Sequence, residues 1–438
     1  MNNYAHEIRD PIHDFVRLTD DERKVVNSPP FQRLRHIHQL ALTYLVYPGA
    51  SHKRFEHSLG VMELASRVFD IVTHQSNLRD KVKDDLNEFV DLDDLSNWRK
   101  VLRMASLLHD VGHLPFSHAA EKELLPDGWD HEVITQNIIL SNEMEEILRS
   151  LKTPLQAERI VKLAIGPKKA KNLIFNSWEA ILSEIITGDA FGVDRMDYLL
   201  RDSHHIGVAY GRFDHYRLID TLRILPDPET DKPKLGIEEG GLHSVEALLL
   251  ARYFMYTQVY FHSVRRIYDI HLMDFLKDWL EDGQFSTEVS DHLNITDNEV
   301  TAALVAAARN SNEPGNLHAD RIVNRNHFKL LYKRNPIDFE INPAAGKLIF
   351  DALSDQFEPT NFRYDKYPPK EGGPNFPVLL GDLRDGQVVA SHKMSEVLNN
   401  IPVVSVEFVF CERETYNDAS DWLNDNREKI IKQDQEEN

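Results

Sequence analysis

Apolar residues recur at helical spacing from 54 to about 73, at Phe55, Leu59, Val61, Met62, Leu64, Ala65, Val68, Phe69 and Val72. The run 101–110 is almost wholly apolar, which predicts a helix buried on most sides and broken at Pro115. Helical patterns follow at 131–150, 155–165 and 177–205, and a long helix is expected from 242 towards 282, where Gly283 stops it. Residues 31–45 also read as a helix, closed by a turn at Tyr47, Pro48 and Gly49. The acidic stretch 80–97 reads as a solvated helix and loop. Strand-like runs are few: 15–18 near the amino terminus, then 221–225 and 234–238 as a surface hairpin, then 378–380, 387–390 and 402–411. The pattern therefore predicts a mainly α chain, a helical bundle with one short surface β-hairpin and a small C-terminal α+β subdomain. Its expected divisions are an irregular or strand segment at 1–30, a helical body at 31–340, the α+β piece at 345–425 and a frayed charged tail at 426–438.

Composition changes this picture mainly by exclusion. The 438 residues are 42% hydrophobic and 28% charged, enough to bury a sizeable core. Against 50 Lys and Arg stand 71 Asp and Glu, a net charge of −21. Coating a phosphate backbone rests on Lys and Arg, so stable non-specific nucleic-acid binding is not expected. One cysteine, Cys411, allows neither an internal disulfide nor a cysteine zinc site. The first residues lack the basic-then-apolar plan of a signal peptide, and no apolar run approaches the ~20 residues that span a bilayer. A cytoplasmic protein with no membrane partner is the expectation.

Histidine is the informative residue: 11 of the 21 lie in the first 131 positions. With cysteine absent there, a metal must be held by imidazole and carboxylate. His109 and Asp110 end the apolar helix, and a buried carboxylate beside a buried imidazole is costly unless paired or metal-bound. His113 falls four residues after His109, on the same helical face, and His118 follows the break at Pro115. The bland alternative is a capping network of histidines at a helix end. His57 lies one turn inside the helix that opens at Arg54. In 191–202, acidic residues recur at helical spacing; Asp197 and Arg201 read best as a surface ion pair, while Asp194 and Asp202 share a neighbouring stripe with Tyr198.

Asp10-Pro11-Ile12-His13, Phe31-Gln32-Arg33-Leu34-Arg35, the run from Tyr47 to Val61 and the run from His109 to His118 occur in that order. Together with 193–198 and 201–207 they resemble the HD-domain phosphohydrolases, in the branch of the dGTP triphosphohydrolases and the SAM-and-HD-domain deoxynucleotide triphosphohydrolase. The resemblance is strong over residues 8–280 and weaker over 280–340. It implies that His57, His109, Asp110 and Asp194 are metal ligands and that His113, His118 and His131 are catalytic-pocket histidines. It places Arg54 and Arg195 on phosphate, Tyr198 against sugar and phosphate, Gln39 and Asp202 on the 3′-hydroxyl, and Leu40 and Tyr268 against the 2′ carbon, favouring deoxyribose. Gln32, Arg35 and Arg217 match residues that bind an activating nucleotide between subunits, where Asn27 replaces the expected Asp. Lys329 and Lys333, spaced i,i+4 on an expected helix, would add phosphate contacts.

The implied reaction is hydrolysis of a deoxynucleoside triphosphate to a deoxynucleoside and inorganic triphosphate. It would use Mn²⁺, Fe²⁺ or Zn²⁺ at the HD site and Mg²⁺ arriving with substrate. The proton for the leaving 5′-oxygen would come from His118 or His131. Two alternatives remain at this stage. One is another phosphohydrolase activity on the same residues, towards guanosine tetraphosphate, cyclic nucleotides or nucleic-acid ends; the other is a silent nucleotide sensor. A homo-oligomer, dimer or tetramer, is expected.

Overall fold

The structure is a computed structural model that describes residues 4–93, 95–116, 121–368 and 373–432. Its described residues form two compact units. The first holds residues 1–255, 286–298 and 372–401; the second holds 256–285, 299–371 and 402–438. Among the described residues no helix is long and apolar enough to cross a membrane.

The chain opens with an antiparallel hairpin, β1 (His6–Asp10) and β2 (Asp14–Leu18), with Asp10 opposite Asp14. Helix α1 (Asp20–Val26) begins in a capping box: the Thr19 side chain accepts from the Glu22 amide, and the Glu22 carboxylate accepts from the Thr19 amide. The segment expected to be irregular or strand at 1–30 holds, over its described residues, this hairpin and α1. Nor does the helix expected over 31–45 form. Beyond α2 (Pro29–Arg33), short 3-10 turns flank an extended stretch in which His38 bridges Lys53. The amides of Gln39 and Arg54 bond to His52 and Ile37 across that bridge, a tertiary pairing that overrides local propensity.

Helix α3 (Arg54–Val72) is buried almost all round. It is followed by α4 (Asp80–Asn87) and packs on α5 (Ser96–Leu108). Val61, Met62 and Leu64 of α3 and Leu102, Leu107 and Leu108 of α5 are fully buried, each contributing roughly 1.5–3 kcal/mol. Helix α5 ends at Leu108, well before Pro115, so His109 and Asp110 stand in a turn and His113 does not share a helical face with His109. Six helices follow: α6 (Glu121–Leu124), α7 (His131–Ile139), α8 (Asn142–Arg149), α9 (Ala157–Ile165), α10 (Ser177–Thr187) and α11 (Val193–Ile206). The first unit continues with α12 (His215–Thr221), β3 (Leu222–Pro226), β4 (Pro233–Glu238) and α13 (Leu242–Met255).

The hairpin of β3 and β4 is not on the surface. Leu222, Ile224, Leu225, Leu235 and Ile237 are fully buried. The helix expected over 242–282 is also interrupted: a π turn at Tyr256–Tyr260 ends α13, and α14 (Ser263–Trp279) starts afresh. The Phe261 amide bonds to the Tyr256 carbonyl there, five residues back.

After α15 (Val289–Leu293), α16 (Asp297–Arg309) and α17 (Asn316–Val323), the second unit builds a three-stranded antiparallel sheet in the order β5-β9-β6. Its strands are β5 (Lys329–Lys333), β6 (Phe362–Tyr367) and β9 (Val406–Cys411), so Lys329 and Lys333 lie on a strand and not on a helix. Alternation along β9 sends Val409 and Cys411 into one apolar cluster with Ile349 and Leu353 of α18 (Ala345–Gln356) and Leu423 of α19 (Tyr416–Lys432). Phe408 and Phe410 go into another with Ile267 and Phe328. Helix α19 continues into the expected frayed tail as far as Lys432, with Ile430 and Ile431 buried, and 433–438 lie outside the described residues. Strands β7 (Pro377–Leu380) and β8 (Gln387–Ala390), read from sequence with this piece, instead extend the buried hairpin as β3-β4-β7-β8, with β7 parallel to β4.

Candidate metal centre

Three segments of the first unit deliver the histidines and carboxylates. Helix α3 places Arg54 at its first position and His57 one turn in. The turn after α5 supplies His109 and Asp110, and the first turn of α11 supplies Asp194. His57 Nε2 lies 3.1 Å from Asp194 Oδ1 and 3.6 Å from Asp110 Oδ2. His109 Nε2 lies 3.6 Å from Asp194 Oδ1 and 3.4 Å from Asp110 Oδ1. His109 Nε2 is buried and makes no hydrogen bond. Ligands about 2.1 Å from one ion stand roughly 3.0–3.5 Å apart in octahedral or tetrahedral geometry, so the spacings of His57, His109 and Asp194 fit a single cation, while Asp110 faces the two histidines with different oxygens.

The remote ring nitrogens are already committed. His57 Nδ1 donates to Asp197 Oδ2 at 2.8 Å and His109 Nδ1 donates to the Ser106 carbonyl at 2.8 Å. Each bond keeps a proton on Nδ1 and turns the Nε2 lone pair inward, the arrangement that orients metal-binding histidines. Among the described residues, the carboxylates of Asp10 and Asp197 pair with the Arg201 guanidinium and that of Asp110 pairs with Arg54. Burial would pull the His57 imidazolium down, but Asp194, Asp197 and Asp110 outweigh it and push the group up to about 10. That measures how strongly the spot attracts positive charge. Burial works against the Asp110 carboxylate too, yet His109, His113 and Arg54 hold it well below the usual range.

Asp197 and Arg201 are not the surface pair that their spacing suggests. Both side chains are fully buried. Arg201 Nε donates to Asp197 Oδ2 at 2.8 Å, Arg201 Nη1 donates to Asp10 Oδ2 at 2.8 Å, and His13 Nε2 meets Asp197 Oδ1 at 2.7 Å. Asp10 in turn accepts the amides of Ile12 and His13. The β1–β2 turn is thus tied to α11 behind His57. Gly60 makes room for this: a Cβ there would collide with Asp197 Oδ1 and the Arg201 guanidinium. Sequence reading missed the network. Its one available signal was that Asp194 and Asp197, three apart on α11, share a face.

Beside the cluster, His113 Nε2 approaches Asp110 Oδ1 at 3.2 Å, and its ring stacks on His131 at 4.0 Å. His131 opens α7 after the Asp130 cap, and its Nδ1 meets Glu121 Oε1 at 2.6 Å. Burial lowers both imidazoles. In His113, Arg54 and His131 add to that and drive it well below its ordinary value; in His131, Glu121 reverses it and the net shift is upward. Glu121 was another residue that sequence reading missed. His118 lies outside the described residues.

The remaining sequence candidates are placed as follows. Arg54 Nη1 pairs with Asp110. Arg195 Nη1 is turned to the carbonyls of Gly188, at 3.0 Å, and Asp189. Asp202 is buried and meets His52 Nε2 at 2.8 Å, with His52 stacked on His205. Tyr198 lies midway between Asp194 and Asp202 on one stripe of α11. Gln39 Oε1 is buried without a hydrogen bond, and Leu40 is buried. Tyr268 belongs to the second unit, its ring fully buried against His327. Gln32 bonds to the Val26 carbonyl and to Arg35, which lies over the Phe55 ring; Arg217 bonds to the Gly240 carbonyl; Lys329 and Lys333 are exposed on β5.

The HD-domain family model matches residues 54–202, and the model of the HD associated region matches 213–340, together more than half of the chain. An uncharacterized protein of Methanocaldococcus jannaschii is 35% identical over 349 residues, covering 80% of this chain and 64% of its own length. The deoxynucleoside triphosphate triphosphohydrolase SAMHD1 of Homo sapiens is 31% identical over 300 residues, covering 63% of this chain and 45% of its own. The chain thus spans between 45% and 64% of the length of these relatives. A crystal structure of a hypothetical protein from Aquifex aeolicus shares the fold with a TM-score of 0.76 at 32% identity, over 95% of this chain and 99% of that one. With the matched segment enclosing every residue of the cluster, the chain belongs to the HD-domain phosphohydrolase family.

Proposed function

We propose that this protein is a metal-dependent triphosphohydrolase that cuts deoxynucleoside triphosphates into the deoxynucleoside and inorganic triphosphate. The observation that carries the reading is the convergence of His57, His109 and Asp194 at ion-binding spacing, with Asp110 facing both histidines and Arg54 paired to it. The donor set of imidazole and carboxylate suits Mn²⁺, Fe²⁺ or Zn²⁺. When bound, such an ion polarises a phosphoryl oxygen and lowers the pKa of water.

The chain's own groups supply the rest. Arg54, held by Asp110, presents a fixed guanidinium to a phosphate that arrives at the ligands. The stacked pair His113 and His131 divides acid from base. Burial, Arg54 and His131 keep His113 neutral, while Glu121 keeps the proton on His131, where it can protonate the leaving 5′-oxygen. Under this reading Asp202 and Gln39 accept or donate hydrogen bonds at the sugar. Under this reading Gln32, Arg35, Arg217, Lys329 and Lys333 hold an activating nucleotide between chains of a dimer or tetramer. The similarity to SAMHD1 supports the substrate class.

The deciding experiment incubates the purified protein with each dNTP and Mn²⁺ or Mg²⁺ and identifies the phosphate product. Inorganic triphosphate is expected. Pyrophosphate or orthophosphate, or turnover of guanosine tetraphosphate or a cyclic nucleotide in place of dNTPs, would move the reading to another reaction at the same residues. No turnover with any of them, despite bound metal, would leave a nucleotide sensor.

A further inference from the structure

Residues 286–298 leave the second unit's stretch of chain and join the first unit. They reach the turn that follows His109 and Asp110. Asp297, 1% exposed, accepts three N–H groups. Its Oδ1 takes the Phe116 amide at 2.7 Å; its Oδ2 takes the His38 amide at 2.7 Å and His38 Nδ1 at 2.6 Å. With the ring proton on Nδ1, His38 Nε2 is left as an acceptor for Lys53 Nζ at 2.7 Å. Lys53 caps α3, one residue before Arg54 and one turn before His57. Phe116 closes the turn that carries Asp110 and His113, and does so at φ 54. A bulky side chain in the left-handed region is strained, so something must hold it there. A second tie runs in parallel: Arg33 donates to the Ile295 carbonyl at 3.0 Å and to the His113 carbonyl at 2.9 Å.

We infer that Asp297 is a positioning residue of the phosphohydrolase site: one carboxylate sets the gap between the amino end of α3 and the turn from His109 to Phe116. That gap fixes the spacing of His57 and Asp110 and the pairing of Arg54 with Asp110. The inference rests on the proposed function for its substrate but not for its geometry. A carboxylate is required because three donors converge on it. An amide in its place offers one oxygen, and its NH₂ would face an N–H group.

The test compares native protein with the Asp297→Asn and Asp297→Glu variants by three readouts. These are Mn²⁺ affinity by titration, hydrogen exchange of the peptide containing Phe116, and kcat and KM for triphosphate release from each dNTP. For Asp297→Asn the expected result is Mn²⁺ affinity weakened by about 10–100-fold, the range seen when groups behind metal ligands are lost. Faster exchange at Phe116 and a fall in kcat larger than any rise in KM should accompany it. Asp297→Glu, which keeps the charge, should recover part of each and keeps the test open if the amide variant does not fold. Native-like Mn²⁺ affinity in a variant whose Phe116 amide exchanges faster would overturn the inference, because the turn would be loose and the site indifferent. If native protein releases no triphosphate, the proposed function fails, while Mn²⁺ affinity and exchange still decide the role of Asp297.

Discussion

His57, His109 and Asp194 bring ligand atoms within 4.8 Å of one another, and so do His271, Asp274 and His318 in the second unit. The two clusters differ in what stands behind them. In the first, acceptors hold Nδ1 of both histidines, so the Nε2 lone pairs face the carboxylates, which outnumber nearby guanidiniums. In the second, the Phe328 amide donates to His271 Nε2 at 3.4 Å, which puts the ring proton on Nδ1 and leaves that nitrogen no lone pair for a metal. Burial, together with Arg321, His318 and Arg363, pulls the His271 imidazolium down to about 2. Asp274 Oδ2 faces Arg363 Nε and His318 Nδ1, each at 3.6 Å. The Arg363 guanidinium already stands beside the one carboxylate an ion would need. Ligand type and proximity are therefore not enough; the partner of the far ring nitrogen and the sign of the surrounding charge decide.

The largest effect that could break this contrast comes from the first cluster's own ligands. Asp194→Ala or His109→Ala should abolish stoichiometric metal binding and lower phosphohydrolase turnover by about a thousandfold or more. Metal analysis of the dialysed proteins, beside product assays, checks both. Full metal content in either variant would mean that the ion, if any, is held elsewhere.

Next comes the group behind the ligands. Asp197→Asn leaves Arg201 and His13 short of a carboxylate and removes the acceptor that fixes His57. Breaking a buried ion pair costs roughly 3–5 kcal/mol, and losing the orienting group should weaken metal binding about 10–100-fold. Denaturant unfolding and metal titration read these separately. Gly60→Ala attacks the same spot from α3. Its methyl collides with Asp197 and Arg201, so overpacking should cost about 1–3 kcal/mol, with part of the metal affinity lost although no ligand is changed. Native stability in that variant would show that α3 and α11 can separate freely at this point.

How much of this contrast could be read from sequence follows from where the information lies. His57, the His109–Asp110 pair and Asp194 stand in short ordered motifs, so local reading brought them forward. Asp197 and Arg201 did not stand out, because opposite charges four apart on a helix form a solvent pair unless something buries them. What buries them is Gly60 on another helix and His13 from a hairpin whose first strand, HEIRD, carries one aliphatic residue. The same limit explains Lys329 and Lys333: a spacing of four reads as one face of a helix, whereas in β5 a bulge between Leu330 and Tyr332 pairs the two lysines with Cys411 and Phe408, on opposite faces of β9. The run 31–45 looked helical until its backbone found a pairing partner at 52–54. Long helices with a clean apolar stripe, α3 above all, needed no such partner and were legible.

A smaller effect concerns proton supply. His131 is pulled down by burial and raised, on balance, by Glu121. A general acid must be protonated, so kcat should hold below the pKa of His131 and fall as pH rises through it. Because Glu121 raises that pKa, it extends activity towards alkaline pH. Glu121→Gln removes the carboxylate's charge, so the alkaline limb of the kcat profile should move to lower pH, while metal content stays native. A limb that does not move would take His131 out of the acid role.

The smallest expected effect sharpens the comparison most. His318→Ala removes one of the three putting their ligand atoms together in the second unit, and also its contacts with Asp274 Oδ2 at 3.6 Å and Asp278 Oδ2 at 3.9 Å. Both contacts are long and partly exposed, so their loss should change stability by no more than about 1 kcal/mol. If Arg321, Arg363 and the committed His271 ring exclude a cation, metal content, metal affinity and turnover should all match the native protein. A drop of one equivalent of metal in this variant would mean that the Phe328 bond to His271 gives way to an ion. The distinction drawn from the far ring nitrogen would then fail for this chain, while the first cluster's ligand spacing would stand unchanged.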